Sequence, residues 1–141
     1  MSDQAYGSYD AIRVYLWAGM TDASDPLRSV ALNGVPAMSA WLEGHDAPPE
    51  KVNEMGIPDG KDGPVGFSAA VLPYLRAFPG RSPLVARQII RINVQKSGQT
   101  GFYGKDEAYY DQCFALFSTG FLEGRFWFGP GGELNVEWKH Q

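Results

Sequence analysis

SYDAIRVYLWAGM, residues 8–20, decides how this sequence can fold. Ser8 is a suitable helix N-cap, and the apolar residues that follow it leave almost no polar face. A helix of this kind is buried on all sides, so the stretch predicts a protein built of packed helices. Asp10 and Arg13 are the exceptions, because they place a carboxylate and a guanidinium in the first helical turn.

Four further helices are predicted along the chain, with proline or glycine at the joints between them. The second helix is expected to kink at Gly34 and Pro36. Apolar residues alternate on both sides of the turn at 129–132, which predicts a closing β-hairpin. The predicted helix starts are Asp25–Pro26, where Asp25 is the cap, Pro64, Ser82–Pro83 and Glu107.

The apolar periodicity of each helix also predicts which side chains face the core. The long connection 45–63, rich in proline, glycine and charge, is predicted to be functional or mobile. The predicted inward residues are Leu27, Ala31, Val35, Met38 and Leu42 on the second helix, Phe67, Ala70, Val71 and Tyr74 on the third, Ala86, Ile89, Ile90 and Val94 on the fourth, and Tyr109, Cys113, Leu116, Phe117 and Phe121 on the fifth.

Composition excludes several classes of function. The 141 residues suit one domain, and a net charge of -4 with scattered Lys and Arg argues against nucleic acid or an anionic membrane as partner. No apolar run is long enough for a membrane span, and the first residues contain no export signal. Cys113, the single cysteine, is predicted to be a buried, inert thiol. His45 and His140 lack cysteine partners at ligand spacing, so no metal or other cofactor is expected.

Four motifs together resemble a known family. SYDAIRVYLWAGM is followed in order by GPVGFSAAVLPYL at 63–75, AYYDQCFALFSTGF at 108–121 and RFWFGPGGEL at 125–134. In this order they resemble the C-terminal part of the glycoside hydrolases of family eight, from about Gly7 to Trp138. The most specific element is SYDAIRVYLW, and the later motifs gain weight from their order and spacing.

The resemblance implies an all-α fold, the C-terminal portion of an (α/α)6 barrel, with about five of its twelve helices and a short terminal hairpin. Residues 1–141 would then form a single partial domain. It also implies endo-β-1,4-glucanase activity, with cellulose or a related glucan as partner, and a periplasmic or secreted location. By the family's YDA motif, Asp10 is the general base of an inverting hydrolysis, and Tyr9 and Arg13 line the cleft and bind substrate.

The family's general acid is a Glu in an EGQSYGM-like motif, which does not occur in this sequence. This absence predicts that the chain supplies only the base side of a cleft, is inactive alone, and either needs a missing N-terminal half or self-associates. The other carboxylates considered as acids lie near loops or helix ends, where a solvated acid is usual: Glu43, Asp46, Glu50, Asp59, Asp62, Asp106, Glu107 and Glu133.

Two alternatives remain open at this point. Asp10 and Arg13 have the spacing of an ordinary i,i+3 pair that stabilises a helix N-terminus. The chain would then be a non-catalytic helical module that binds glucan or another protein. Several aromatic residues are candidates for sugar stacking, with Trp17 and Trp41 expected in the core and Phe102 and Tyr103 expected at the surface. The candidates are Trp17, Trp41, Tyr74, Phe102, Tyr103, Trp127 and Trp138.

Overall fold

A computed structural model describes residues 5–137. It is mostly helical, with two small antiparallel strand pairs. In chain order the elements are β1 (Tyr6–Gly7), α1 (Arg13–Met20), α2 (Arg28–Asn33), α3 (Ala37–Gly44), β2 (Val52–Asn53), α4 (Val65–Ala70), α5 (Leu72–Arg76), α6 (Ser82–Val94), α7 (Tyr109–Leu122), β3 (Phe126–Phe128) and β4 (Leu134–Val136).

The centre of the fold is the nearly continuous helix pair α4 and α5. Every residue from Val65 to Leu75 is buried, including the large side chains of Phe67 and Tyr74. Helix α1 packs against α5, α7 packs against α4, and α6 packs against both. Helices α1 and α5 approach closely at Gly19, where an added Cβ would lie 2.2 Å from the backbone of Pro73 and Tyr74. The core therefore lies where α1, α6 and α7 pack around α4 and α5.

The prediction that the first helix is buried on all sides is wrong. Helix α1 begins at Arg13, later than expected, and buries only the side that includes Leu16 and Met20. Val14 is 51% exposed and Trp17 is 49% exposed. Complete burial belongs instead to residues 65–75 of α4 and α5, and the small residues of α4 let neighbouring helices approach from several directions.

The second predicted helix is two helices. The expected kink at Gly34 and Pro36 is a break between α2 and α3. Met38 and Leu42 are buried as predicted, but Leu27 and Ala31 are exposed, and Leu32 is the buried residue of α2. Separate orientations of the two short helices explain the change, because a single stripe no longer continues across the break.

The inward faces of α6 and α7 also differ from the prediction. Helix α6 buries Leu84, Gln88 and Ile92, while Ala86, Ile89, Ile90 and Val94 are exposed. Helix α7 buries Asp111, Phe114, Ala115 and Ser118; Phe121 and Cys113 are partly buried, and Tyr109, Leu116 and Phe117 are exposed. Polar side chains take inward positions on both helices because they form hydrogen bonds with backbone groups there. The Ser118 hydroxyl, for example, donates to the Ala69 carbonyl at 2.5 Å. The exposed apolar side chains of α6 and α7 form apolar faces at the surface of the molecule.

The predicted hairpin is present as β3 and β4, with Phe126 opposite Val136 and Phe128 opposite Leu134. Strands β1 and β2 form a second antiparallel pair that the sequence did not predict. This pair ties the connection 45–63 to the start of the chain. Two isolated bridges, Pro49–Asp62 and Val52–Pro58, lie within the connection itself. The connection is thus a hydrogen-bonded part of the fold.

Candidate functional site

Three helix N-termini meet at one end of the molecule. Tyr9, just before α1, packs edge-on against Phe67 of α4 at a ring-centroid distance of 5.1 Å. It also packs edge-on against Tyr110 of α7 at 5.3 Å. Tyr110 in turn contacts Phe114 at 4.6 Å. Helices α1, α4 and α7 therefore point their N-terminal ends toward a shared aromatic cluster, and the three residues singled out from the sequence lie at this end.

Asp10 lies in the turn that leads into α1 and not in the helix itself. The Ile12 amide donates to the Ser8 carbonyl across this turn at 3.0 Å. The Ser8 hydroxyl, predicted as the N-cap, instead donates to the Glu50 carbonyl at 2.7 Å. This bond anchors the turn to the connection 45–63 and leaves the carboxylate of Asp10 free to face solvent.

Asp10 and Arg13 form an ion pair at the surface. The Asp10 side chain is 94% exposed and that of Arg13 is 47% exposed. An exposed pair of this kind contributes little to stability, on the order of 0–1 kcal/mol. The arrangement therefore presents an accessible carboxylate beside a cation.

Tyr110 connects the aromatic cluster to this pair. Its hydroxyl group donates a hydrogen bond to the backbone carbonyl of Tyr9, the residue next to Asp10. Burial raises the pKa of Tyr110, and Asp10 raises it further while Arg13 lowers it. Burial, followed by the charges of Glu50 and Asp111, also raises the pKa of Tyr9. Both phenols thus remain protonated near neutral pH and can serve as hydrogen-bond donors.

Asp111 is a buried carboxylate that the sequence reasoning missed. It is 6% exposed and accepts a hydrogen bond from the Gly66 amide at 2.7 Å. Burial raises its pKa, while the Gly66 hydrogen bond and the charge of Arg91 oppose the shift. A lone acid in the first turn of an apolar helix is the signal that singled out Asp10, and the same signal was available in AYYDQC. Asp111 joins the N-terminal ends of α4 and α7.

Arg91 of α6 binds polar groups in α4 and just before it. It donates to the Ser68 hydroxyl at 2.7 Å and to the Gly63 carbonyl at 2.6 Å. Burial lowers its pKa, and the charges of Asp62 and Asp111 raise it. A cavity of about 320 Å³ lies here, lined by Asp62, Arg91, Asp106 and Asp111 among others. Asp62 and Asp106, weighed as acids from the sequence, therefore lie at this cavity.

The aromatic candidates fall into distinct environments. Tyr74 is fully buried, and Tyr103 is partly buried. Trp41 is partly buried, stacks on His45 and donates to the Ala47 carbonyl at 3.0 Å. Trp17, expected in the core, is half exposed, as are Phe102 and Trp127. Trp138 and His140 lie outside the described residues.

Within residues 5–137, no group of three or more His, Cys, Asp or Glu side chains is placed to hold a metal ion. Cys113, expected to be buried, is only partly so. None of the helices in this part of the chain is both long and apolar enough to cross a membrane.

The sequence is similar to bacterial endoglucanases. It is 43% identical over 132 residues to an endoglucanase of Escherichia coli K12, covering 93% of this chain and 33% of that protein. It is 40% identical over 134 residues to an endoglucanase of Xanthomonas axonopodis pv. citri, covering 94% of this chain and 33% of that protein. The chain therefore spans about one third of the length of these relatives. No family model matches it.

A solved structure shares the fold. The endo-1,4-D-glucanase from Vibrio fischeri ES114 matches 99% of this chain and 39% of its own length, with a TM-score of 0.78 and 27% sequence identity. The arrangement of helices around α4 and α5 is thus one that a glucanase structure contains. The similarity supports a partial glucanase fold for the chain.

Proposed function

We propose that this chain carries the general-base side of the cleft of an inverting endo-β-1,4-glucanase of glycoside hydrolase family eight. The observation that carries the proposal is the exposed Asp10 carboxylate, held beside Arg13 at the end where three helix N-termini meet. The similarity to proteins named endoglucanase supports the reaction class. The resemblance of SYDAIRVYLW to the family's motif assigns the position of the base to Asp10.

The chemistry assigned to Asp10 follows from inversion. An inverting glycosidase uses one carboxylic acid to protonate the leaving oxygen and one carboxylate to activate water on the opposite face of the sugar. The two groups are about 6.5–9.5 Å apart, which leaves room for that water. The Asp10 side chain is 94% exposed, so a water molecule has access to its carboxylate. Arg13 is its ion-pair partner at the surface.

Tyr9 and Arg13 are proposed to bind the glucan. Tyr9 is 44% exposed and is held by the rings of Phe67 and Tyr110, so one part of its ring is available to a sugar. The guanidinium of Arg13 can donate to a sugar hydroxyl as well as to Asp10. Both side chains adjoin the proposed base, as residues that position a substrate must.

The proton donor is proposed to come from polypeptide beyond this chain. The acid motif does not occur in the sequence, and the relatives are about three times as long as the matched region. General acid–base catalysis typically contributes about 100- to 10,000-fold to a rate. We therefore expect the isolated chain to bind β-1,4-glucan while hydrolysing it slowly or not at all.

The test combines hydrolysis and binding. Purified chain is incubated with cellopentaose, and the product anomers are followed by proton NMR, since inversion releases the α-anomer first. Binding is measured by calorimetry for the wild type, for Asp10→Asn and Arg13→Ala, and for a matched control, Asp59→Asn, which changes an exposed carboxylate of the connection 45–63. We expect binding that Arg13→Ala weakens and the control preserves.

A second candidate is a non-catalytic module that binds protein and not glucan. The exposed apolar faces of α6 and α7 favour it, because such faces are common where proteins associate. The same titration separates the two functions. If cellopentaose produces no heat and no product with the wild type, the glucanase proposal is rejected in favour of this module.

A further inference from the structure

A polar cavity lies between the start of α4, the end of α6 and the segment that leads into α7. Its volume is about 320 Å³, which is at the lower end of the range for small-molecule pockets. Charged and amide side chains supply most of its polar groups: Asp62, Arg91, Gln95, Lys105, Asp106 and Asp111. The cavity therefore suits one small ligand that carries several hydrogen-bonding groups.

One oxygen of Asp111 accepts no hydrogen bond from the part of the chain that the structure describes. Asp111 is 6% exposed, and its Oδ1 accepts from the Gly66 amide at 2.7 Å. Its Oδ2 is not fully enclosed, and within residues 5–137 no group donates to it. Gly104, which also lines the cavity, keeps this oxygen open, because a Cβ there would lie 2.6 Å from Oδ2. A buried acceptor without a donor is costly, so Oδ2 is the atom that a ligand hydroxyl would satisfy.

The charges around the cavity favour an uncharged ligand. Three carboxyl groups and two cations line it, so an anion would meet more acids than bases. Among the described residues, no three His, Cys, Asp or Glu side chains are placed to hold a metal ion. A sugar hydroxyl both donates and accepts, and the lining offers acceptors on Asp62 and Asp106 and donors on Gln95 and Lys105. A polyhydroxylated ring matches this mixture of groups.

The cavity adjoins the proposed glucan site. Val65 lines the cavity, and Phe67, on the next turn of the same short helix, contacts the ring of Tyr9 at 5.1 Å. Asp111 follows Tyr110, whose hydroxyl group donates to the Tyr9 carbonyl. A glucan bound against Tyr9 is therefore beside the cavity and can place a neighbouring sugar unit in it.

We propose that this cavity binds one glucosyl unit of the same β-1,4-glucan that passes Tyr9 and Asp10. The inference rests on the proposed glucanase function. Hydroxyl groups of that unit donate to Oδ2 of Asp111 and to the Asp106 carboxylate, and they accept from the Gln95 amide. The three acids select an uncharged sugar and disfavour a sugar that carries a carboxylate.

The experiment is a calorimetric titration of the full chain with cellopentaose. Gln95→Ala and Asp106→Ala each remove one hydrogen-bonding group from the cavity. Neither side chain forms a hydrogen bond within residues 5–137, so the fold should tolerate both changes. We expect each variant to bind about 2- to 10-fold more weakly than the wild type, which is the usual effect of losing one hydrogen bond.

Two matched controls change the same kinds of side chain outside the cavity. Gln99→Ala and Glu54→Ala alter an amide and a carboxylate at exposed positions, and both should bind as the wild type does. Circular dichroism confirms the helical fold of each variant. A direct readout comes from the side-chain amide of Gln95 in ¹⁵N-labelled chain, whose NMR signal is assigned by its loss in Gln95→Ala and should shift as cellopentaose is added.

The outcomes separate this inference from the proposed function. Weaker binding by both cavity variants, unchanged binding by both controls and a shift of the Gln95 signal support the inference. Binding that Arg13→Ala weakens and the cavity variants leave unchanged overturns it and preserves the proposed function. Binding that only the cavity variants weaken supports the cavity and rejects the site at Asp10.

Two further results overturn the inference. A Gln95 signal that does not shift overturns it even where the variants bind weakly, because their loss would then come from altered packing and not from a lost contact with the sugar. A wild-type chain that binds no cellopentaose overturns both the inference and the proposed function.

Discussion

The hydroxyl group of Tyr110 donates a hydrogen bond to the backbone carbonyl of Tyr9, a residue 101 positions earlier in the chain. The contact joins α7 to the turn that presents Asp10. The rings of Tyr9 and Tyr110 also meet edge-on at 5.3 Å. The position of the proposed base therefore depends on α7 as well as on the turn that leads into α1.

Removing this hydrogen bond tests whether the position of Asp10 depends on Tyr110. Tyr110→Phe keeps the ring contacts but removes the donor to the Tyr9 carbonyl, and we expect a loss of about 0.5–1.5 kcal/mol in unfolding free energy. Glucan binding should weaken as well, because the turn that carries Asp10 is less fixed. Urea denaturation and calorimetry measure the two effects. Tyr109→Phe is the control, since Tyr109 is 83% exposed, and an equal loss of binding in both variants would contradict the assigned role.

Gly19 tests the packing of α1 on α5. Its hydrogen atoms face the backbone of Pro73 and Tyr74, where a Cβ would lie at 2.2 Å. Gly19→Ala must push the helices apart, and overpacking of this kind costs about 1–3 kcal/mol. Gly44→Ala is the matched control at the end of α3, because a Cβ there meets nothing within 4 Å. Equal thermal stability of the two variants would show that the helices do not approach as closely as described.

Asp111 tests the junction of α4 and α7. Asp111→Ala leaves the Gly66 amide buried without its acceptor, at a cost of about 1–3 kcal/mol in unfolding free energy. Asp111→Asn retains a carbonyl oxygen that can accept from Gly66, so its loss should be smaller. Urea denaturation of both variants gives the comparison. An Asn variant as unstable as the Ala variant would mean that the charge, and not the acceptor, matters.

The stability contributed by Asp111 should depend on pH. Burial raises its pKa in the folded protein above the ordinary value of 3.8. The folded state then binds the proton more tightly than the unfolded state, so the contribution is complete below pH 3.8 and is lost as the pH rises through the folded pKa. The unfolding free energy of the wild type minus that of Asp111→Asn should therefore fall as the pH rises from 3.8 through the folded pKa of Asp111. A difference that grows with pH would contradict this prediction, because it would mean that folding lowers the pKa of Asp111.

The helical class and most joints could be predicted from the sequence, because proline, glycine and apolar periodicity are local signals. The break near Gly34 and the final hairpin are examples. The inward faces could not be predicted equally well. Residues such as Ile90 and Phe117 are apolar yet exposed, since burial depends on which helices lie beside them and not on the side chain alone.

The candidate site, too, could be predicted only in part from the sequence. Asp10 and Arg13 could be proposed from spacing and resemblance, and the structure places them side by side. Tyr110 and Asp111 could not be linked to them from the sequence, since they lie about a hundred residues away and meet α1 and α4 only through the fold. The pair β1 and β2 was missed for a similar reason, because two-residue strands leave no periodic pattern.

The most direct test of the central claim is to map where a β-1,4-glucan binds. Cellopentaose is titrated into ¹⁵N-labelled chain, and amide chemical shifts are followed by heteronuclear NMR. The account predicts that the shifts concentrate at Tyr9, Asp10, Arg13 and Tyr110, and that Arg13→Ala reduces the affinity. No shift at millimolar cellopentaose, or shifts that leave these four residues unchanged, would contradict the assignment of the Asp10 end as the glucan site.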